Sequence, residues 1–267
     1  MRTTSFILAS LSLAAMATGA QAASASLSTS GYIESFDAMG TAGTSAPTGW
    51  SVYVGNSGTT NGTWSTTIPG NGSNSVASMT LVTNALTATN APSGTNNNGF
   101  NAAFSSSNTS DRVLATSPTT VTGSALQLSL VNDTGAAFSS LTLSYDTRRF
   151  TTVSSSEEMP GYRLFYSLDG SSWTNASALN PTLTQVPNSV GVTTLSNALV
   201  DFGALVNPGQ TFFLRWVDDN GKPTSPDQII GLNNVSVRAV AQPVPEPEGL
   251  ALVGAGLALL ALRRRRA

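Results

Sequence analysis

The 267-residue chain contains no cysteine and no histidine. Without cysteine no disulfide staples the fold, and thiolate nucleophiles and thiolate metal sites are excluded. Without histidine the Ser-His-Asp triad, Cys-His pairs, imidazole-bound zinc and the usual general base near neutrality drop out. Charge is also scarce, at 10% of residues. The lone lysine, Lys222, lies in a turn-like stretch that suits a Ser-Lys dyad poorly. Two routes to chemistry survive: paired carboxylates and oxygen-ligated metals.

No apolar run is long enough for an ordinary membrane span. The longest, Gly249 to Leu262, has fourteen residues and is followed by Arg263, Arg264, Arg265 and Arg266. As a helix it reaches about 21 Å, short of the ~30 Å hydrocarbon core. Its six Leu and one Val supply only about 2 to 4 kcal/mol of insertion free energy. Such an element is a weak tether. The other end carries Arg2, an apolar stretch from Phe6 to Ala17, and the small-x-small pattern Ala20-Gln21-Ala22. This pattern predicts a secretory signal peptide over residues 1–22, cut after Ala22 and handled by the Sec export machinery. The positive-inside rule then places the arginines in the cytoplasm and the body outside the inner membrane.

Val244-Pro245-Glu246-Pro247, a short Leu/Ala/Gly helix and a closing arginine cluster occur in that order over residues 243–267. The arrangement resembles the PEP-CTERM sorting signal of exopolysaccharide-producing bacteria. That resemblance implies a transient encounter with the membrane protease exosortase, cleavage near the motif, and release to the cell surface or extracellular matrix. Pro245 and Pro247 keep this segment extended and without backbone donors, which presents Glu246 openly.

The remaining body, residues 23–242, is long enough for one β domain with a core of its own. It holds seven Lys/Arg against twelve Asp/Glu, a net charge of about −5, which disfavours nucleic acid and anionic membrane as partners. Apolar residues alternate with polar ones at period 2. Leu126, Leu128 and Leu130 share one face, as do Leu141, Leu143 and Tyr145, with a turn at Asn132-Asp133-Thr134-Gly135 between the two stretches. "GYRLFYSLDGSSWTNA" reads as a hairpin closed by Asp169-Gly170, with Tyr162, Leu164 and Tyr166 outbound and Trp173 on the return. "TFFLRWVDDNG" has bulky residues on both faces and reads as a central strand covered on both sides. Val235 and Val237 mark the closing strand. The stretches 56–65, 69–75 and 90–99 are polar and Gly-rich and read as surface loops. The expected fold is all-β, a two-sheet antiparallel jelly-roll-like sandwich.

"FDAMGTAGTSAPTGW", "LVNDTGAAFSSLTLSYD", "YRLFYSLDGSSWT", "VNPGQTFFLRWVDDN" and "IIGLNNVSVRAV" together resemble landmarks of a group of exported β-sandwiches that often carry PEP-CTERM tags. The group is similar to carbohydrate-binding and MAM-like jelly rolls. This chain departs from it twice. Asp146-Thr147-Arg148-Arg149-Phe150 stands where the group has a Glu-Gln-Trp-Arg-like run, and Leu232-Asn233-Asn234-Val235 where it has Ile-Asp-Asp-Val. The resemblance implies that any cation or sugar held by acids at those places in relatives is weakened or lost here.

The candidate sites are few. Glu157-Glu158 is adjacent in a loop-like stretch, and neighbours on an extended chain point apart, so the pair suits solvent better than glycoside hydrolysis. Asp146 beside Arg148 and Arg149 suits either a local ion pair or a grip on a sugar acid. Asp218, Asp219, Asn220 and Asp227 form a candidate calcium set of hard oxygen ligands, although Ile229 stands where an EF-hand needs its glutamate, and Asp-Asn-Gly is also turn chemistry. Trp50, Tyr53 and Trp64 are candidate sugar-stacking plates in the loop-rich first third, while Trp216 reads as core. The sequence points first to a non-catalytic, exported surface or matrix protein that contacts exopolysaccharide. A carboxylate-dependent glycan hydrolase or lyase and a purely structural adhesion component are the alternatives.

Overall fold

A computed structural model describes residues 23–55, 76–94, 96–118, 121–152, 161–181, 189–220 and 228–241. Both terminal signals, Trp64, Glu157-Glu158, Lys222, Asp227 and the stretches 56–65 and 69–75 lie outside these residues. The described residues form fourteen strands and three short 3-10 turns, with no α-helix among them.

One sheet contains β1 (Ala25–Leu27), β3 (Trp50–Val54), β4 (Thr80–Leu81), β8 (Gly123–Asn132), β10 (Arg163–Ser167), β11 (Thr174–Asn175) and β13 (Thr211–Asp219). Its order is β11-β10-β13-β8-β3-β4, and β1 adds in parallel to β8. The other sheet contains β2 (Tyr32–Glu34), β5 (Thr87–Thr89), β6 (Asn96–Ser105), β7 (Asn108–Ser117), β9 (Phe138–Arg149), β12 (Gly191–Val206) and β14 (Ile230–Ala239). Its order is β12-β9-β14-β7-β6-β5, with β2 on β14 and a parallel β5·β6 pair. The expected sandwich is present, but each sheet is mixed rather than wholly antiparallel. The stretch 90–99 is likewise not all loop, since Asn96 to Gly99 open β6.

The period-2 pattern assigns the faces. Leu126, Leu128 and Leu130 of β8 meet Leu141, Leu143 and Tyr145 of β9 in one core shared by both sheets. The turn between them forms, with Asn132 Oδ1 accepting from the Thr134 amide at 3.1 Å and Gly135 at a φ of 79°. The strands it joins nevertheless enter different sheets, so the connection crosses the sandwich. Trp216 anchors the core. Trp50 stacks on it at 5.4 Å and Tyr145 meets it edge-on at 5.7 Å, spacings at which aromatic pairs add stability beyond buried area.

β13 is central, between β10 and β8. Its even-numbered residues Phe212, Leu214 and Trp216 enter the shared core, and Phe213 and Val217 point outward. There they are covered by Phe165, Trp173, Val76 and Met79. The 162–175 hairpin forms with Phe165 opposite Asn175. Its turn is held by Asp169 Oδ1, which accepts from the amides of Ser171 and Ser172 at 2.8 and 2.6 Å. A third cluster, Phe100, Ala102, Val113, Ala115 and Ile229, lies on the outer face of β6 and β7. Three of the four sheet edges end in strands of two or three residues (β4, β5 and β11), whereas β12 runs for sixteen.

Candidate functional site

Trp50 and Tyr53 lie on opposite faces of β3 because they are three residues apart on a strand. The Trp50 indole is 2% exposed, packed against Trp216 and Phe36, and its Nε1 donates to Tyr32 Oη at 2.7 Å. It therefore lacks the free face that sugar stacking needs, and its expected role as a plate is replaced by a core role. Tyr53 faces outward and stacks on the Arg215 guanidinium, whose Cζ is 4.1 Å from its ring centre and 4.0 Å from that of Trp173. Arg215 also donates to Gln127 Oε1 and to the Val76 carbonyl. The sequence reading missed this sandwiched arginine. Its signal was an arginine in the outward register of a strand whose outward neighbours are Phe213 and Val217.

The candidate calcium ligands are divided by the same alternation. Asp218 and Asp219 sit inside β13 rather than in a turn, both fully buried and on opposite faces. Asp218 points inward, where its Oδ2 accepts from Thr116 Oγ1 at 2.6 Å. The Tyr162 hydroxyl, 2.9 Å from Thr116 Oγ1, donates to the Ile230 carbonyl at 2.8 Å. Burial, with Asp218 nearby, raises the Tyr162 pKa well above its ordinary value. Asp219 points outward into an ion pair with Arg163, both side chains essentially inaccessible. Burial pushes the Asp219 carboxyl up to about 6, outweighing the pull of the guanidinium. One ion therefore does not take both carboxylates. On the inner side the hard oxygens of Asn220, Thr122 and Ser124 are buried, and their side-chain oxygens have no protein partner among the described residues. Asn220 is tied to this edge by Nδ2, which donates to the Val121 carbonyl at 2.9 Å.

The two departures from the resembled group meet in space. Asn234 Nδ2 donates to Asp146 Oδ2, and Asn233 Nδ2 donates to Asp111 Oδ1, both at 2.8 Å. Thr194 Oγ1 donates to the other Asp146 oxygen at 2.5 Å. Each asparagine supplies an N–H where a second carboxylate would need a cation or a proton between the two acids. Asp146 is consequently satisfied by neutral donors and does not pair with Arg148 or Arg149.

The two arginines diverge, again by alternation. Arg149 is buried and donates to the Ser189 carbonyl and to Thr193 Oγ1 at 2.8 and 3.1 Å. Arg148 lies on the outer face of β9 and, among the described residues, donates only Nε, to the Phe104 carbonyl at 3.0 Å. Its guanidinium sits between the Phe104 and Phe150 rings at 5.6 and 5.2 Å. Arg112 shows what saturation looks like: fully buried, it makes five side-chain bonds to Asn90, Asn101, Thr89 and Thr109.

Three clefts bring these parts together. One of about 220 Å³ opens where β9 and β12 face Tyr162 and residues 178–181. One of about 490 Å³ lies along β3 between residues 44–46 and 81–86. One of about 210 Å³ borders Arg148, Phe104 and Phe150. None of the three has an aspartate or glutamate in its wall.

No family model matches the chain, and no curated protein does. Among solved structures it is similar to a family GH115 4-O-methyl-α-glucuronidase, BtGH115A, with specificity for decorated arabinogalactans. The identity is 15% and the TM-score 0.27, over 50% of this chain and 15% of that one. It is also similar to the Agl-KA catalytic domain, at 12% identity and a TM-score of 0.25, over 51% of this chain and 23% of that one. The match thus spans under a quarter of either structure. Likenesses this partial bear on neither fold nor activity.

Proposed function

We propose that the chain is an exported, exosortase-processed, non-catalytic protein of the cell surface or extracellular matrix, with a jelly-roll-like body that binds glycan. The observation that carries this reading is the ordered trio at residues 244–266: the Pro-Glu-Pro motif, the fourteen-residue apolar run and the four arginines. The signal-peptide pattern at Arg2 to Ala22 accompanies it. The body is consistent with this role. Its two facing sheets are joined by a crossing connection between β8 and β9, and its clefts are lined by hydroxyl and amide side chains together with aliphatic and aromatic ones. Among the described residues, calcium enters the reading through Asp218 and its buried neighbour Asn220 at the end of β13.

Mass spectrometry of the mature protein from its native cells tests the processing. The expected C-terminus lies near Val244–Pro247, with Arg263 to Arg266 gone and the protein outside the inner membrane. Full-length chain stably embedded in that membrane would overturn the reading. Retention of the exported protein on polysaccharide matrices, with and without calcium, tests the glycan part, and retention on no matrix reduces it to an adhesion or structural role.

A further inference from the structure

Arg148 is an incompletely used cation at the wall of a cleft. Its Nε bonds the Phe104 carbonyl, and no other hydrogen bond or ion pair engages its remaining four N–H groups among the described residues. The one ion pair there joins Arg163 to Asp219. Asp146, two residues earlier on the same face, is already held by Thr194 and Asn234. The rings of Phe104 and Phe150 fix the guanidinium in place, so little side-chain freedom remains to be lost on binding. Half-burial lowers the arginine pKa without discharging it, since an arginine stays protonated. An arginine held this way presents its Nη1–Nη2 edge to a planar, two-oxygen partner.

The surroundings limit what that partner is. Beside Arg148 the cleft is lined by Asn90, Pro92, Ser105 and Ser106. The Asn90 oxygen accepts from Arg112 Nη1 at 3.1 Å, which leaves its NH2 as a donor toward the cleft. Hydroxyl and amide groups beside apolar rings suit a sugar, with C–H groups against the rings and O–H groups on the polar rim. The volume, about 210 Å³, is below the roughly 300 Å³ of drug-sized pockets, so the cleft takes one sugar unit rather than a chain segment. The body's negative net charge opposes a polyanion at long range, but at physiological salt this is screened beyond ~8 Å and the local guanidinium decides.

Resting on the glycan-binding reading above, we infer that the cleft bounded by Arg148, Phe104 and Phe150 is a subsite for a carboxylate-bearing sugar, a uronate unit of an acidic polysaccharide. Arg148 pairs end-on with the carboxylate, and Asn90 and Ser106 meet the ring hydroxyls.

The test is retention of the exported protein in affinity gels, in about 150 mM salt, containing polygalacturonate, the same polymer with its carboxyls reduced to alcohols, or dextran. Wild type is expected to be retarded by polygalacturonate at least tenfold more strongly than by its reduced form. Arg148→Gln is expected to lose that difference, and Arg148→Lys to lose most of it because a point charge lacks the fork. Arg238→Gln is expected to keep it, since Arg238 lies opposite Thr142 on β9, six residues and roughly 20 Å from Arg148. Ser106→Trp fills the cleft from its exposed rim while leaving the arginine in the chain, and is expected to abolish the difference even if Arg148→Gln folds poorly. Equal retardation by all three polymers, or full retention by a folded Arg148→Gln, overturns the uronate subsite and leaves glycan binding standing. No retardation by any polymer overturns both.

Discussion

Removing either member of the Arg163–Asp219 pair, and then both, separates the worth of the pair from the cost of keeping one charge buried without the other. The two side chains are 1% and 0% exposed, so neither survivor reaches water. Arg163→Met at pH 7.5 leaves a buried carboxylate, and Asp219→Leu leaves a buried guanidinium. Each is expected to cost about 3 to 5 kcal/mol. The double variant replaces both charges with apolar groups beside Phe165 and Val217 and is expected to fall within about 1 to 2 kcal/mol of wild type. Urea unfolding followed by tryptophan fluorescence measures all four corners of the cycle. Single costs under about 1 kcal/mol, or a double cost equal to their sum, would refute the claim that this is a desolvated, coupled pair. The same carboxyl sets a pH dependence. Its pKa is about 6 when folded and near 4 when unfolded. The folded state thus holds the proton longer, and this group's contribution is fully present below about pH 4 and lost as pH rises through about 6. Asp219→Asn removes that window, and an unchanged stability profile between pH 4 and 6.5 would count against the assignment.

Arg215→Met leaves Gln127 Oε1 and the Val76 carbonyl without their donor and strips a cation from between Tyr53 and Trp173, for an expected loss of about 2 to 4 kcal/mol in the same urea assay. Asn233→Asp sets two carboxylates together where an amide now bridges to Asp111, and is expected to destabilise by about 2 to 4 kcal/mol. Millimolar calcium is expected to restore part of that loss in the variant but to leave wild type unchanged at this place, read as the thermal midpoint. Gly231→Ala drives a Cβ into Val113 and to 2.8 Å from Ala115 Cβ, so about 1 to 3 kcal/mol of overpacking is expected, and Val113→Ala is expected to recover only part of it.

Much of this fold is readable from alternation alone, because a strand's period of two assigns every side chain a face. Leu126 to Leu130, Leu141 to Tyr145 and the doubly covered Phe212 to Val217 all lie as their spacing predicts. Pairing was less readable. β8 and β9 are separated by a turn that suits a hairpin, yet they belong to different sheets, since a short polar connection serves equally well to cross a sandwich. Adjacency in sequence does not bring site residues together on a strand. Asp218 with Asp219 and Arg148 with Arg149 look in opposite directions, and Trp50 and Tyr53, three apart on β3, also take opposite faces. The pairs that do meet, Asn233 with Asp111 and Asn234 with Asp146, come from separate strands, and their register is set by long-range pairing that no local pattern encodes.

β2, near the start of the body, lies against β14, which ends it: Tyr32 opposite Val237 and Glu34 opposite Val235. About two hundred residues separate these partners, so the second sheet cannot be completed until nearly the whole chain is available. Topologies of this kind fold slowly because loop closure precedes its reward. A chain growing from its amino end keeps β2 and β9 without their β14 partner until the last strand of the body is made. A version stopped at Gln228 is expected to lack cooperative unfolding, and a sharp melting transition from it would show that the closing strand is dispensable.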